Sequence, residues 1–330
     1  MQNKKLGSQG LMASKIGLGC MGMSEFYGTG NDEESLNTLA RAADIGVTFW
    51  DTADAYGPYT NETLVGKGLK GRRDKITLAT KFGIVRDISN PSARSLSGKP
   101  EYVKKACEES LKRLQTDVID LYYLHRIDLS TPVEETVSAM ADLVKEGKIK
   151  AIGLSEVSAE TLHRMHTTVH PISAVQTEYS LWTRDPEDKI LQVCSENNIA
   201  FVAYSPLGRG FLTGQIKEFE DFSPNDYRRF SPRFQGENFK KNLELVKKIE
   251  ELSHKKGCTA SQFALAWVLA QGEFIFPIPG TKKIKYLEEN AVAVRINFTT
   301  SELLEIDKLF PKDLAAGGRY PEGMMGSINK

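Results

Sequence analysis

The chain has 330 residues, and 43 Lys and Arg residues balance 43 Asp and Glu residues, so its formal net charge is zero. This balance argues against a nucleic acid or an anionic membrane as the partner, because both attract proteins with an excess of basic residues. The four cysteines are far apart and form no CxxC pair, which argues against a zinc site or a disulfide framework. No apolar run has the length of a signal sequence or a membrane span. We therefore expect a cytoplasmic protein with a small, weakly charged substrate and no metal, and the question of a homo-oligomer stays open.

The N-terminal residues predict a short β-hairpin, with strands at 4–6 and 11–14 around a turn that contains Gly and Ser. Beyond the hairpin, short apolar runs alternate with amphipathic segments of helical period. The predicted strands are 16–19, 47–51, 76–81, 118–125, 151–154, 174–177, 200–204 and 274–278, and the predicted helices are 32–45, 61–70, 101–114, 132–145, 159–166, 186–197, 239–256, 259–270 and 282–292. Eight strands separated by helices predict an α/β fold, a (β/α)8 TIM barrel, which we expect to form a single domain over residues 1–330.

Three long irregular segments interrupt this alternation, at 86–100, 205–238 and 311–330. Loops of this length in a compact domain are usually functional or disordered. In a barrel, the first two would project from the C-terminal face, where active sites of this fold lie.

Polar side chains end three successive predicted strands. Asp51, Lys81 and His125 lie at the C-terminal ends of the second, third and fourth strands, and Tyr56 follows in the loop after Asp51. Strand ends converge at the mouth of a barrel, so these four side chains should meet there. A Lys cation beside a phenol lowers the pKa of the phenol, and a carboxylate can hold that Lys in place. A neutral His nearby could orient a substrate oxygen.

The glycine run 17–22 also matches the GxGxxG pattern of dinucleotide-binding folds. That fingerprint requires a helix to begin on the glycine turn, so that the helix N-terminus meets the pyrophosphate. The next predicted helix begins only near Asp32, which argues against a Rossmann fold.

Several segments in order resemble the aldo-keto reductases, and the resemblance extends from about residue 6 to residue 293. The segments that carry it are 6–11, 16–22, 51–57, 80–83, 121–125, 153–155, Gln176, 204–210 and 279–282. The resemblance implies a catalytic group of Asp51, Tyr56, Lys81 and His125, with Tyr56 as the general acid.

The resemblance also implies that NADPH binds in an extended form across the barrel mouth. Tyr204 would stack on the nicotinamide, and Ser155 and Gln176 would bind its carboxamide. The remaining cofactor residues implied are Ser205, Pro206, Leu207, Gly208, Arg209 and Gly210 at the pyrophosphate, and Gly280, Thr281, Lys282, Lys285, Glu288, Glu289 and Asn290 at the adenosine end.

The chain departs from the family pattern at two positions. Glu156 stands where family members often have Asn, which affects one contact to the carboxamide. Tyr286 stands where many have an Arg, so Lys282 or Lys285 would have to bind the 2′-phosphate as a point charge.

The activity implied is NADPH-dependent reduction of aldehydes or ketones to alcohols. A nucleotide-sensing regulatory subunit like the channel β subunits, an enzyme that mainly oxidises alcohols and a reductase specialised for pyridoxal remain as alternatives. We expect Trp50, Tyr56 and His125 to contact the carbonyl substrate. The pocket walls are expected from Trp182 and from residues 23–27, 86–100 and 219–234, whose aromatic content favours apolar or aromatic carbonyl compounds.

Overall fold

A computed structural model describes residues 1–90, 93–326 and 328 of the chain. The strands are β1 (Asn3–Leu6), β2 (Leu11–Ser14), β3 (Leu18–Gly19), β4 (Phe49–Asp51), β5 (Thr77–Phe82), β6 (Ile84–Arg86), β7 (Arg94–Leu96), β8 (Ile119–Leu124), β9 (Ile149–Ser155), β10 (Ala174–Glu178), β11 (Ala200–Tyr204) and β12 (Ile275–Pro277). The helices are α1 (Asp32–Asp44), α2 (Thr60–Leu69), α3 (Pro100–Leu114), α4 (Val133–Lys145), α5 (Ala159–Thr168), α6 (Ile190–Asn197), α7 (Gly236–Lys256), α8 (Ala260–Ala270), α9 (Ile284–Val292), α10 (Thr300–Leu309) and α11 (Glu322–Met325). Among the described helices, none is long and apolar enough to cross a membrane.

Eight parallel strands form one sheet in the order β12-β11-β10-β9-β8-β5-β4-β3. The two edges of this sheet meet, because the amide of Gly17 donates to the carbonyl of Pro277 at 2.9 Å and that of Gly19 donates to Pro279 at 3.2 Å. The sheet is therefore closed, and the helices lie around it. The predicted (β/α)8 barrel is confirmed.

The apolar side chains form two layers. A large layer lies between the strands and the surrounding helices, and a smaller cluster fills the barrel interior with side chains such as Phe49, Leu121 and Phe276. Leu6 and Leu11 of the β1–β2 hairpin belong to the interior cluster, so the hairpin covers the N-terminal end of the barrel. The opposite end, where the strands terminate, is left for a site.

Local sequence signals account for most element boundaries. The side chain of Asn31 accepts a hydrogen bond from the amide of Glu34 and starts α1, and α8 and α10 begin with capping boxes at Thr259 and Thr299. Since α1 starts ten residues after Gly22, the run 17–22 does not open a helix in the Rossmann manner.

The structure corrects several details of the prediction. The first barrel strand is only Leu18–Gly19, and residues 186–197 divide into a 3₁₀ turn at Asp185–Glu187 and the shorter α6. The segment 86–100 was predicted as irregular, but it contributes to the antiparallel β6–β7 hairpin, whose strands have only three residues each and are too short for hydrophobic periodicity to reveal. Within this segment residues 91–92, and within the tail residues 327, 329 and 330, lie outside the described residues.

Gly17→Ala should destabilise the barrel because a Cβ at this position would lie 2.8 Å from side-chain atoms of both Ile278 and Phe49, at the junction that closes the sheet. Overpacking of this kind costs about 1–3 kcal/mol. Chemical denaturation should show the loss in the free energy of unfolding. Gly326→Ala is the control, since a Cβ there meets no atom of the described residues within 4 Å. Equal unfolding midpoints for the two variants would contradict the role of Gly17 in closure.

Candidate active site

Three of the four polar residues predicted from the strand ends, Asp51, Tyr56 and His125, line one cavity at the C-terminal end of the barrel, and Lys81 is buried next to them. Its volume is about 840 Å³, within the range of small-molecule and cofactor sites. The walls come from the β6–β7 hairpin, the loop after β11 and the C-terminal tail. Among the residues that line it are Asp51, Tyr56, His125, Ser155, Gln176 and Tyr204.

Lys81 lies at the centre of the predicted catalytic group. Its ammonium contacts a carboxylate oxygen of Asp51, donates to the carbonyl of Thr52 at 2.8 Å and lies 3.3 Å from the hydroxyl of Tyr56. Lys81 is fully buried, and Asp51 is nearly so. Burial by itself would lower the pKa of Lys81, but Asp51 and Tyr56 raise this pKa above its ordinary value. Lys81 is therefore a fixed positive charge beside the phenol.

The pKa of Tyr56 differs from the sequence-based expectation. Burial raises it above the ordinary value for tyrosine, and the positive charges of Lys81 and Arg126 reduce this rise without reversing it. The expected influence of Lys81 is present, but desolvation of the phenolate outweighs it. Tyr56 therefore stays protonated throughout the neutral pH range.

His125 directly follows β8 and packs edge-on against Tyr56, with ring centroids 5.8 Å apart. The pKa of His125 is well below its ordinary value. Burial is the largest cause, and the positive charges of Arg126, Lys81 and Arg94 lower the pKa further. The imidazole is therefore neutral at physiological pH. Its buried Nδ1 has no hydrogen-bond partner within the described part of the chain, which leaves a polar atom for a ligand.

Gln176 and Ser155 lie on adjacent strands in register with each other. The amide nitrogen of Gln176 donates to Asp51 at 2.8 Å, so this side chain fixes the carboxylate and keeps its own carbonyl oxygen for another partner. The hydroxyl of Ser155 accepts from Arg126 at 3.2 Å. Both predicted carboxamide contacts thus line the cavity and are held by protein neighbours.

The hydroxyl of Tyr204, at the end of β11, joins a buried polar network. It donates to Glu156 at 2.8 Å and lies 2.8 Å from the hydroxyl of Tyr320 in the tail. Arg319 forms an ion pair with Glu156 at 2.6 Å, and both side chains are at most 5% exposed. Glu156, which departs from the family pattern, therefore anchors the tail and does not line the cavity itself.

Glu178 extends this network deeper into the protein. Arg233 lies 3.2 Å from its carboxylate, and Arg209 and Arg319 each lie 3.6 Å away. The pKa of Glu178 is lowered although burial opposes this, because the three guanidinium groups favour its ionised form. The network connects the ends of β9 and β10, the loop after β11 and the tail.

The loop after β11 has an unusual backbone. Ser205, Gly208, Arg209 and Gly210 all have positive φ, of 48°, 55°, 58° and 88°. Position 208 requires glycine for two reasons. Its φ is positive, and a Cβ there would lie 2.6 Å from the ring of Trp182. The turn brings Ser205, Pro206, Leu207, Arg209 and Gly210 to the cavity wall.

The predicted adenosine end is divided between the cavity and the surface. Gly280, Thr281, Lys282, Glu289 and Asn290 line the cavity, together with Lys283 and Tyr286. Glu288 instead pairs with Arg41 at 2.6 Å, and the ammonium of Lys285 lies over the Tyr286 ring. Lys282 donates to the carbonyls of Tyr27 and Thr29 at 3.0 and 2.8 Å, which places its positive charge at the rim.

The structure contradicts the expectation that Trp50 contacts the substrate. Its side chain is fully buried in the layer between barrel and helices, and its indole donates to the carbonyl of Val47 at 2.9 Å. Successive side chains of a strand point to opposite faces, so Trp50 points outward where its neighbours Phe49 and Asp51 point inward. Trp182, expected in the pocket wall, packs instead against Phe211 behind it.

Sequence reasoning did not single out several residues that shape the cavity, although it expected the segments 86–100 and 219–234, which contain Arg94 and Arg228, in the pocket walls. Arg126, Arg228 and Tyr320 line the cavity, as does Arg94 of the unpredicted hairpin. Only Arg126 carried a signal, because it directly follows His125 at a strand end. The others come from loops and from the tail, whose paths the periodicity of the sequence does not define.

The charge of the cavity suits an anionic ligand such as a dinucleotide. Seven of its lining residues are Arg or Lys, and three are Asp or Glu. Lys282 bonds only to backbone carbonyls among the described residues, so its charge is not neutralised by a carboxylate. With the unpartnered Nδ1 of His125, these features fit the phosphates and the polar head of the expected cofactor.

Comparisons with known proteins show which family this chain belongs to. The model of the aldo/keto reductase family matches residues 15–310. A probable aldo-keto reductase 1 of Glycine max is 48% identical over 326 residues, covering 98% of this chain and 93% of its own. The NADP(+) aldo-keto reductase yakc of Schizosaccharomyces pombe is 47% identical over 330 residues, with 98% and 96% covered.

Solved structures are similar over almost the whole chain. A glycerol dehydrogenase of Gluconobacter oxydans matches with a TM-score of 0.84 at 29% identity, covering 93% of this chain and 94% of its own. An aldo/keto reductase of Klebsiella pneumoniae in complex with NADP and acetate matches with a TM-score of 0.73 at 27% identity, with 96% and 99% covered.

Arg319→Met should destabilise the protein strongly, because it leaves the fully buried Glu156 without its ion-pair partner. Breaking a buried pair in this way costs about 3–5 kcal/mol. Denaturant unfolding should show this loss, and Glu156→Gln in the same background should recover part of it. Lys189→Met is the control, since it breaks an exposed pair with Glu160 and should leave the midpoint unchanged. An unchanged midpoint in Arg319→Met would contradict the anchoring role.

Proposed function

Because the chain belongs to the aldo/keto reductase family, we propose that it is an NADP-dependent oxidoreductase that reduces aldehydes or ketones to alcohols, with Tyr56 as the general acid. The observation that carries the proposal is the contact chain from Asp51 through Lys81 to the hydroxyl of Tyr56, with Lys81 3.3 Å from that hydroxyl at the floor of the cavity. A tyrosine is suited to proton donation when it lies beside a buried lysine that a carboxylate holds in place.

When bound, the reduced nicotinamide supplies the hydride that the carbonyl carbon accepts. The hydroxyl of Tyr56 donates its proton to the carbonyl oxygen as negative charge develops there. Lys81 then stabilises the phenolate that remains, because its positive charge is fixed within hydrogen-bond range. Asp51 has no direct contact with the reacting atoms in this scheme. It keeps Lys81 in position and charged.

His125 acts as a neutral hydrogen-bonding group beside Tyr56. A protonated imidazole would add a further positive charge next to Lys81, and burial opposes this. In the neutral form, one ring nitrogen donates and the other accepts. His125 can therefore orient the carbonyl oxygen toward Tyr56 without competing as an acid.

The cofactor is proposed to lie across the cavity, with its nicotinamide at Ser155, Gln176 and Tyr204 and its phosphates at the loop after β11. Lys282 is the cation proposed for the 2′-phosphate, since it lies at the cavity rim and Lys285 contacts Tyr286. The relative from Schizosaccharomyces pombe that is named for NADP(+) and the Klebsiella pneumoniae structure with NADP support the choice of this cofactor.

Tyr56→Phe should lower kcat for reduction of simple aromatic and aliphatic aldehydes by about 10²–10⁴-fold, because the variant removes the proton donor. The decrease in NADPH absorbance measures the rate, and calorimetric binding of NADPH should be unchanged. The matched control is Tyr59→Phe in the same loop, whose hydroxyl donates to the carbonyl of Arg86 at 2.9 Å and not to the catalytic group.

Equal rates for wild type and Tyr56→Phe would contradict the role of this residue. Tight NADPH binding by the wild type without turnover of any carbonyl compound would instead favour a nucleotide-sensing protein.

The rate of reduction should be independent of pH across the neutral range. Burial raises the pKa of Tyr56, so the proton needed for donation is lost only as the pH rises past the ordinary tyrosine value of about 10. The lowered pKa of His125 means that the imidazole stays neutral and does not change charge near pH 6. A profile of kcat between pH 6 and 9 should be flat.

The double variant Asp51→Asn, Lys81→Met removes the buried ion pair. It should raise the pKa of Tyr56 further, because the positive charge that favours the phenolate is lost. In the alcohol-oxidising direction, where the phenolate is the base, the alkaline rise of kcat should move to higher pH. A shift to lower pH would overturn the assignment of Lys81.

A further inference from the structure

Arg126 extends into the cavity beside the proposed catalytic group. One of its terminal nitrogens donates to the carbonyl of His125 at 2.6 Å and to the hydroxyl of Ser155 at 3.2 Å. These two contacts fix the guanidinium between the ends of β8 and β9. They use a single nitrogen, and a guanidinium has five N–H donors.

Arg126 lacks the carboxylate partner that three other arginines of the cavity have. Arg86 lies 3.4 Å from Glu25. Arg209 lies 3.6 Å from Glu178, and Arg228 lies 2.7 Å from Asp226. Within the described residues, no carboxylate lies in ion-pair range of Arg126. The nearby Glu156 is already paired with Arg319.

Arg94 of the β6–β7 hairpin is a second cation of this kind. It lines the same cavity, with its guanidinium 5.7 Å from the centre of the Phe26 ring, and it forms no ion pair in the part of the chain that the structure describes. The charges of Arg126 and Arg94 both lower the pKa of His125, so both lie within electrostatic reach of the imidazole. Two uncompensated positive charges therefore border the place where the substrate oxygen is expected.

We propose that Arg126 binds a carboxylate group of the substrate, and that Arg94 adds to the attraction, so that the protein prefers carbonyl compounds that carry a carboxylate. This inference rests on the proposed reductase function and specifies its substrate class. A half-buried guanidinium with unused donors forms strong, charge-assisted hydrogen bonds with a carboxylate, often in a bidentate manner.

The position of Arg126 assigns this group to the substrate and not to the cofactor. The phosphates of the cofactor are proposed at the loop after β11 and near Lys282. Arg126 instead adjoins His125, the residue proposed to orient the carbonyl oxygen, and Ser155, which is proposed to bind the uncharged carboxamide of the cofactor. The preference also differs from the apolar or aromatic carbonyl compounds that the aromatic content of the loops suggested.

The test compares 4-carboxybenzaldehyde with methyl 4-formylbenzoate, which differ in charge but not in the reacting group. In the wild type, kcat/KM should be higher for the acid. Arg126→Met should lower kcat/KM for the acid by about 10- to 100-fold, mainly through KM, and change that of the ester by less than about threefold. Arg295→Met is the control, since it removes one exposed positive charge outside the cavity and should alter neither substrate.

Equal losses for the acid and the ester in Arg126→Met would assign Arg126 a structural role and overturn the proposal. Arg126→Lys serves as a second variant if Arg126→Met does not fold. It keeps the charge without the planar fork, and its kcat/KM for the acid should fall while that for the ester stays. Unchanged values for the acid in Arg126→Lys would likewise overturn the proposal.

Calorimetry separates this proposal from the proposed function. Benzoate should bind the full chain more tightly than benzamide, and Arg126→Met should abolish the difference. If the wild type reduced neither aldehyde, the reductase function would fail, but the preference for benzoate would still support the anion site. Equal binding of benzoate and benzamide by the wild type would overturn the anion site, whatever the outcome with the aldehydes.

Discussion

The buried ion pair between Asp51 and Lys81 is the constraint on which the site depends. Two charges without water are unfavourable unless each has partners, and here Thr52 and Gln176 supply the remaining hydrogen bonds. Four strand positions must therefore be correct at once for the pair to exist. The barrel meets this requirement because it brings successive strand ends to one mouth. The phenol of Tyr56 is then held beside a positive charge that cannot move away or lose its proton.

A second network outside this pair fixes the shape of the cavity. Glu178 pairs with Arg209, Arg233 and Arg319, and Arg319, which belongs to the tail, also pairs with Glu156. The tail is thus attached to the barrel through buried charges and not through a secondary-structure element. Glu156 has a left-handed backbone, with φ of 53°, which turns its side chain toward Arg319 and Tyr204. Glu156, one of the two residues at which the chain departs from the family pattern, therefore helps to position the tail.

The sequence was sufficient for the barrel and for the proximity of the four polar residues of the proposed catalytic group, because strand ends and alternating polarity are local properties of the chain. It was insufficient where a contact joins distant segments. Arg319 and Glu156 are 163 residues apart, and no periodicity relates them. Trp50 was misassigned for a different reason, since adjacency to Asp51 was taken as proximity to the site although alternate side chains of a strand point to opposite faces. The strands of the β6–β7 hairpin have three residues each, and β7 is exposed, so they leave no apolar pattern to recognise.

The cations of the cavity wall fall into two groups: those that lie beside a carboxylate of the protein and those that do not. Arg209 and Arg228 lie beside carboxylates, so a ligand anion would have to compete with a protein partner for their charge. Arg126 and Lys282 bond only to uncharged acceptors among the described residues, so their charges remain available. Burial of an unpaired cation costs free energy that the folded protein recovers only when an anion binds. Arg126 and Lys282 lie near opposite ends of the proposed cofactor, which separates a substrate anion from the cofactor phosphates within one cavity.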